Sequence, residues 1–421
     1  MISVNSYTLP NGLRLLHHDD HATVMVAVKL LYHVGSKNEH PHRTGLAHLM
    51  EHLMFTGSKY APNYDAPLQA AGGESNAWTS VDITNYYETL PAHNIETAFW
   101  LESGRLMDLN LSEESIDTQK RVVMEEFKQR CLNQPYGDLG HVVNALAYQV
   151  HPYRWPTIGL KLEHIQEASY DEIVAFFHAY YAVNNAILCV SGHIDFDRVV
   201  ELAEKWFGDM TPHQQPPRQI PAEPEQTEPR LKRVCRTGVP QDMIYLLFPM
   251  CGRGGADYQA CDNVSDILSN GTSSRFYRHV LVPSGLFTEL DASVRGNEDS
   301  GLFIIRGRLT KNADFERAKA AIEAEIQRLF DVPPTQHEIE KCVNKYESNL
   351  LFENIGYAEK AVKLCRYELL GMAHPETGLS AHSINTEIER YRALTPEKVL
   401  EVARRLFSPQ RCSVLYYGPN A

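Results

Sequence analysis

The chain lacks the positive charge that a nucleic-acid partner requires, because its formal net charge is −13 over 421 residues. Binding to a phosphate backbone needs a basic face, which this balance disfavours. No apolar run reaches the roughly eighteen residues that cross a bilayer. The N-terminal stretch MISVNSYTLPNGLRLL has no basic patch followed by an apolar run, which argues against a secretory signal. We therefore expect a cytoplasmic protein without nucleic-acid or membrane partners.

Paired cysteines, nucleotide-binding motifs and the nucleophile elbow of hydrolases are lacking as well. The eight cysteines are spread along the chain and none forms a C-x-x-C pair, a pattern typical of buried reduced thiols. There is no G-x-x-x-x-G-K-[ST] phosphate loop, no G-x-S-x-G elbow and no dinucleotide fingerprint after a strand. The sequence therefore favours neither a disulfide scaffold nor these common enzyme classes.

A proline-rich stretch divides the chain into two halves of similar size. Between Thr211 and Pro229 the sequence reads TPHQQPPRQIPAEPEQTEP, whose six prolines cannot sustain a helix or an inner strand. We interpret it as an extended, fairly stiff linker. The predicted domains are residues 1–210 and 231–421, joined by a linker at 211–230.

The two halves share a repeat. Ser169–Gly192, SYDEIVAFFHAYYAVNNAILCVSG, aligns without gaps with Thr395–Gly418, TPEKVLEVARRLFSPQRCSVLYYG. Each copy reads as a Ser or Thr cap, an amphipathic helix, a short polar turn and an apolar strand that ends at Gly. A chance similarity is the alternative, but the matched spacing and the central linker favour a duplication.

The coarse pattern mixes strands and helices. Predicted strands are Leu13–His17, Val24–Val34, Thr84–Thr89, Ala186–Gly192, Met243–Phe248, Gly301–Leu309 and Cys412–Tyr417. Predicted helices are Thr44–Phe55, Ile95–Leu106, Glu114–Leu132, Asp197–Trp206, Asp314–Leu329 and Glu338–Leu351. Hairpin-like strands interspersed with helices predict two α+β sandwiches and not a doubly wound sheet.

The strongest chemical signal is His48-Leu49-Met50-Glu51-His52. Positions four apart lie on one face of a helix, so His48 and His52 can both point at one metal ion, with Glu51 beside it. Imidazoles suit zinc, which takes three protein ligands in catalytic sites, and an adjacent carboxylate can act as general base. The order inverts the H-E-x-x-H pattern. The alternative is a helix with two surface histidines.

A third ligand is expected from the segment QKRVVMEEFKQR, which contains Glu125 and Glu126. Val122, Val123 and Phe127 mark an apolar helical face, and Glu126 lies next to it. A carboxylate near an apolar stripe is costly to bury unless it is paired or bound to a metal. The pattern alone leaves open that both glutamates are solvated helix charges.

A second region of interest is GGESNAWTSVDITNYYETL, from Gly72 to Leu90. The two glycines indicate a turn, and the alternating residues rich in Thr, Val, Ile and Tyr after them read as a strand. A strand at a sheet edge beside the metal could pair its backbone with an extended peptide. An ordinary sheet strand fits the pattern equally well.

Several motifs together resemble the inverted-zincin peptidases of the pitrilysin family, which includes insulin-degrading enzyme and the mitochondrial processing peptidase. The matching stretches are YTLPNGLRLL, HVGSKNE followed by TGLAHLMEHLMFTGS, GGESNAWTSVDITNYY, RVVMEEFKQR and HPYRWPTIG. The resemblance covers essentially the whole chain and fits the short members with two homologous domains.

The resemblance implies a zinc-dependent peptidase in which Glu126 is the third ligand and Glu51 is the general base. It also implies that Asn76 and Ala77 lie on the strand that binds substrate backbone. In this family the two related domains form half of a clam-like chamber. Such a chamber favours short or unfolded peptides over folded proteins.

Two departures from the family pattern are informative. Family members commonly carry a glutamate seven residues before the third ligand, where this chain has Gln119, which can hydrogen-bond but brings no charge. Active members also have an Arg and a Tyr in the C-terminal half that help to hold the substrate carbonyl. Leu281 and Thr288 align with these positions, and the nearby Arg275 and Tyr277 are out of register.

The second half also lacks a metal motif, because Asp262, Ser265 and Asp266 align with the zinc-helix residues. Some short family members are heterodimers in which one subunit carries the metal and the other the Arg/Tyr pair. We therefore expect the metal-bearing subunit of such a pair, or else a homodimer. The alternatives are a leader-removing processing peptidase and a non-catalytic structural subunit of a complex.

Overall fold

The computed structural model describes residues 1–214, 216, 220–311 and 313–421. Gln215, Pro217, Arg218 and Gln219 of the predicted linker lie outside the described residues. The described residues between Thr211 and Pro229 form no helix or strand, as their proline content predicts.

The chain forms two compact units that are discontinuous in sequence. The first comprises Met1–Leu132, His151–Pro221 and Leu351–Asn385, and the second comprises Asn133–Val150, Ala222–Leu350 and Thr386–Ala421. The predicted domains are contiguous, whereas each compact unit includes one segment from the other half of the chain.

Two mixed sheets and surrounding helices make up the fold. The strands are β1 (Asn5–Thr8), β2 (Arg14–Asp19), β3 (Met25–Tyr32), β4 (Glu74–Thr79), β5 (Thr84–Pro91), β6 (Ala186–Gly192), β7 (Arg230–Cys235), β8 (Met243–Met250), β9 (Phe287–Arg295), β10 (Gly301–Leu309) and β11 (Ser413–Gly418). The strand order is β1-β2-β6-β3-β5-β4 in the first unit and β7-β11-β8-β10-β9 in the second.

The α-helices in the described residues are α1 (Leu46–Leu53), α2 (Asp65–Ala70), α3 (Glu96–Met107), α4 (Glu113–Phe127), α5 (Leu139–Ala147), α6 (Leu162–Gln166), α7 (Tyr170–Tyr180), α8 (Phe196–Phe207), α9 (Tyr258–Ser269), α10 (Val282–Ser284), α11 (Phe315–Asp331), α12 (Gln336–Glu353), α13 (Tyr357–Ala373), α14 (Glu387–Arg392) and α15 (Pro396–Leu406). Among them, none combines the length and the apolar character that a bilayer crossing demands.

The predicted mixed fold with two related sheets is confirmed, and the predicted strands and helices are present with small shifts at their ends. One prediction needs correction. The stretch from Gly72 to Leu90 forms two antiparallel strands, β4 and β5, because a turn closed by the hydrogen bond from Ser80 N to the Ile83 carbonyl interrupts it.

The duplication inferred from the repeat agrees with the topology. Strands β2, β6, β3, β5 and β4 follow the same order as β7, β11, β8, β10 and β9, and each sheet has one parallel pair, β2–β6 or β7–β11. Ser169 and Thr395 both cap their helices by accepting a backbone N–H. The two strands end at Gly192 and Gly418, whose φ values of 140° and 149° favour glycine.

The sheet of the first unit is covered on both faces. One face packs against α1, α3, α4, α7 and α8 in the main core. The other face presents residues such as Leu31 and Ile187 to Leu364 and Cys365 of α13, a helix that the sequence pattern did not predict. Strand β6 is consequently buried along its whole length.

A buried carboxylate holds the start of α1. Glu39 accepts hydrogen bonds from the backbone N–H groups of Gly45 and Ala47, both at 2.9 Å, and it is 5% exposed. The first N–H groups of a helix have no partner within the helix, so this carboxylate satisfies them. The loop around it is fixed in turn, since Trp155 Nε1 donates to the Ser36 carbonyl.

We expect Glu39→Ala to lower the free energy of unfolding by about 2 kcal/mol, because it leaves buried N–H groups at the start of α1 without an acceptor. The measurement is urea denaturation followed by circular dichroism. The control is Glu113→Ala in the exposed first turn of α4, with an expected cost below about 0.5 kcal/mol. Equal losses in the two variants would contradict a special role for Glu39.

Candidate metal centre

Helix α1 presents the two motif histidines on one face. The His48 and His52 rings have centroids 4.9 Å apart and are inclined by 89°. On an adjoining face of the helix, Leu49 and Leu53 are buried in the core of the first unit. The four-residue spacing thus separates an apolar face from a face with two imidazoles, as the sequence predicts.

Helix α4 brings the carboxylate of Glu126 to these rings. Glu126 Oε2 lies 3.6 Å from His48 Nε2 and 3.4 Å from His52 Nε2. One potential ligand atom from each of the three residues lies within 4.8 Å of the others. The buried Val123 and Phe127 fix the orientation of α4. The neighbouring Glu125 instead pairs with Lys128 at 2.6 Å in an exposed position, so only one of the two glutamates reaches the site.

The protonation state of His48 suits a metal ligand. Burial, reinforced by the adjacent His52, lowers the pKa of His48 to about 4, so this imidazole is neutral near neutral pH. Its Nδ1 atom is buried and has no hydrogen-bond partner. Two imidazoles with one carboxylate form a donor set that fits zinc in a catalytic site, where a further position stays open.

Glu51 is held beside the donors by a residue of the neighbouring sheet. Thr79, the last residue of β4, donates a hydrogen bond from Oγ1 to Glu51 Oε2. Burial raises the pKa of Glu51, and the bond from Thr79 offsets part of that rise. A carboxylate with a raised pKa next to a metal site can accept and return a proton.

Strand β4 forms the edge of its sheet beside Glu51. The register pairs Asn76 with Tyr87 and Ala77 with Tyr86. Because Ser80 bonds to Ile83 at the hairpin end, the alternation of an antiparallel ladder directs the backbone of Ala77 toward the open edge. Its N–H there contacts Asn76 Oδ1 at 2.8 Å.

Two further residues on α4 and its continuation flank Glu126. Gln119 lies two helical turns earlier and is half-buried. After Phe127 the predicted helix continues as a π-helical turn, Lys128–Leu132, in which Arg130 Nη2 lies 2.9 Å from Glu126 Oε1. Neither Arg130 nor Thr79 was predicted from the sequence to be part of the site, although a glutamate followed four residues later by an arginine is a recognisable helix pairing.

The second unit has no comparable cluster of donors at the aligned positions among its described residues. Asp262 accepts a hydrogen bond from Tyr391, and Asp266 accepts one from Asn270. Arg275 is buried and pairs with Glu338 at 2.8 Å.

The two positions where active family members have Arg and Tyr are occupied by a leucine and a threonine. Leu281 packs against the core of the second unit. Thr288 on β9 donates to the Arg308 carbonyl. Neither side chain brings a cation or a phenol.

The sequence matches two family models. The model described as insulinase (peptidase family M16) covers residues 14–159, which include His48, His52 and Glu126. The model described as the peptidase M16 inactive domain covers residues 167–346.

Individual relatives agree with this. Zinc protease PqqE of Helicobacter pylori is 30% identical over 341 residues, which cover 80% of this chain and 77% of the relative. The uncharacterized zinc protease YmxG of Bacillus subtilis is 24% identical over 411 residues, 96% of each chain. A crystal structure of a protease from Helicobacter pylori aligns with a TM-score of 0.90 and 26% identity, covering 99% of this chain and 100% of that one. From these matches, the chain belongs to peptidase family M16, the zinc-dependent insulinase family.

Proposed function

We propose that this chain is a zinc metalloendopeptidase that hydrolyses peptide bonds in short or unfolded peptides. The observation that carries the proposal is the convergence of His48, His52 and Glu126, with one potential ligand atom from each within 4.8 Å of the others. In this proposal the three side chains hold the metal. When bound, zinc supplies a Lewis acid that polarises a substrate carbonyl and makes a water molecule more acidic.

Glu51 takes the role of general base and accepts a proton from the attacking water. Its burial supports this role, because a raised pKa brings a carboxyl closer to the operating pH. The hydrogen bond from Thr79 fixes one oxygen of Glu51. The other oxygen is then the one available to the reacting water.

The open edge of β4 binds the substrate as an added strand. The outward-directed backbone of Ala77 offers hydrogen bonds to an extended peptide, and Asn76 can release the N–H of Ala77 by rotating its side chain. Recognition through backbone groups tolerates many side chains. This mode agrees with a preference for unfolded peptides.

The second subunit in the proposal is a homologous chain that supplies the Arg/Tyr pair, giving a heterodimer. Support comes from Leu281 and Thr288, which cannot replace a cation and a phenol. A homodimer is the alternative assembly. The same two residues also favour, as a second candidate, a structural subunit that has lost activity. A processing peptidase would use the same residues and differ only in selectivity.

The proposed location is the cytoplasm. None of the eight cysteines, all of which lie in the described part of the chain, forms a disulfide. Cysteines that stay reduced in a chain of this length are typical of a reducing compartment.

We expect the purified chain to contain about one zinc ion, because two imidazoles and a carboxylate complete a catalytic donor set. His52→Ala and Glu126→Ala should each lose most of the metal, whereas Glu51→Gln should retain it, since Glu51 is not a ligand. The measurement is metal analysis by mass spectrometry after dialysis. Wild-type protein without stoichiometric zinc would support the structural-subunit candidate instead.

We expect low peptidase activity from the chain alone and a large gain when a homologous subunit with the Arg/Tyr pair is added. In the mixture, Glu51→Gln should reduce kcat by about a hundredfold or more, because the general base is lost. The measurement is hydrolysis of a quenched fluorescent peptide. Full activity of the purified homodimer would reject the heterodimer, and a Glu51→Gln mixture that cleaves at the normal rate would reject the assigned base.

Substitution Ala77→Pro should raise KM by about tenfold, because it removes one outward N–H that pairs with substrate backbone. Proline is tolerated on edge strands, so the melting temperature should stay close to that of the wild type. Asn76→Pro is the matched comparison: its N–H faces β5, and its loss should lower stability. An unchanged KM in a folded Ala77→Pro protein would exclude strand addition at this edge.

A further inference from the structure

Helix α4 changes its geometry immediately after the residue that reaches the histidines. It ends at Phe127, and Lys128–Leu132 form a π-helical turn. Single π-helical turns are rare and occur frequently at functional sites. Arg130 of this turn reaches back along the helix, and its Nη2 lies 2.9 Å from Glu126 Oε1.

The two oxygens of Glu126 therefore have different partners. Oε1 faces the Arg130 guanidinium, whereas Oε2 faces His48 Nε2 at 3.6 Å and His52 Nε2 at 3.4 Å. A free carboxylate can rotate and exchange its oxygens. The ion pair on one oxygen restricts that rotation and leaves the other oxygen directed at the imidazoles.

The adjacent ion pair in the same turn provides a contrast. Lys128 pairs with Glu125 at 2.6 Å, and both side chains are exposed, at 37% and 62%. This pair has the same charges and lies on the same turn, but neither partner is in the group of donors. Gln119, two turns before Glu126, brings no charge to the carboxylate.

We propose that Arg130 is a positioning residue for the metal: by holding Glu126 Oε1, it presents Oε2 as the ligand oxygen and thereby strengthens zinc binding. The inference rests on the proposed function, because it presupposes that Glu126 is a ligand. Groups that hydrogen-bond to a metal-ligating carboxylate orient it, and their loss typically weakens metal binding by roughly tenfold to a hundredfold.

Two effects of the guanidinium oppose each other. Its orientation of Glu126 favours metal binding, whereas its positive charge repels a divalent cation. The Arg130 side chain is 66% exposed, so solvent and salt screen its charge at a distance, while its contact with Glu126 Oε1 at 2.9 Å is short and local. Orientation is therefore the larger effect. The same exposure means that the pair adds little to folding stability, so variants at this position should fold.

The test measures zinc affinity by competition with a chromophoric chelator at fixed pH and ionic strength. Arg130→Ala should weaken zinc binding by about tenfold. Arg130→Lys keeps the charge but loses the planar guanidinium, so its zinc affinity should lie between those of the wild type and Arg130→Ala. Lys128→Ala, which breaks the neighbouring ion pair, should bind zinc like the wild type. Melting temperatures of the metal-free proteins serve as the folding control.

A double variant separates positioning from a general effect of charge. In the Glu126→Ala background, which lacks the carboxylate, adding Arg130→Ala should not weaken the residual zinc binding further. Equal zinc affinity of Arg130→Ala and the wild type, tighter binding by Arg130→Ala, or additive losses in the double variant would overturn the role of Arg130 while leaving the zinc site intact. Absence of stoichiometric zinc in the wild type would remove the proposed function itself, and the role of Arg130 with it.

Discussion

The packing of α1 against α4 is the constraint on which the rest of the site depends. Both helices bury their apolar faces in one core, through residues such as Leu49 on α1 and Val123 on α4. Their polar faces therefore meet at the rim of that core, where a carboxylate and two imidazoles converge. A carboxylate in this half-buried position is costly unless it is paired, and Glu126 faces both a guanidinium and the imidazoles.

Each polar group at the site is restrained from a different part of the first unit. Glu39 holds the first N–H groups of α1, Thr79 of β4 holds Glu51, and Arg130 holds Glu126. Residues that act on a metal or a substrate need fixed orientations, which long side chains lose unless neighbours lock them. The fold supplies these neighbours from a loop, an edge strand and a helix end.

Much of this arrangement could be predicted from the sequence, because its signals are local. The four-residue spacing of His48 and His52 defines one helix face, and the alternating residues after Gly73 indicate extended structure, although they were interpreted as one strand. A local pattern does not show which residues from distant parts of the chain will contact the site. The hydrogen bond from Thr79 to Glu51 depends on how β4 lies against α1. Which of Glu125 and Glu126 reaches the histidines depends on the packing angle of α4.

For the same reason, the packing of α13 on the sheet of the first unit could not be predicted from the local sequence. Its apolar residues Leu364 and Cys365 are compatible with any buried helix, and nothing nearby in the chain indicates that they cover a sheet from the first half. The hairpin of β4 and β5 was misread as one strand because both arms alternate in the same way. Only the pairing register, from Glu74 opposite Thr89 to Thr79 opposite Thr84, reveals the turn.

The contribution of Leu351–Asn385 to the first unit has a consequence for folding during synthesis. A ribosome that has released the N-terminal sheet must still translate the following half of the chain before α13 emerges. At ordinary elongation rates this delay is on the order of ten seconds. Throughout that interval one apolar face of the sheet remains uncovered, so the nascent chain presents a binding surface for chaperones that the finished protein no longer has.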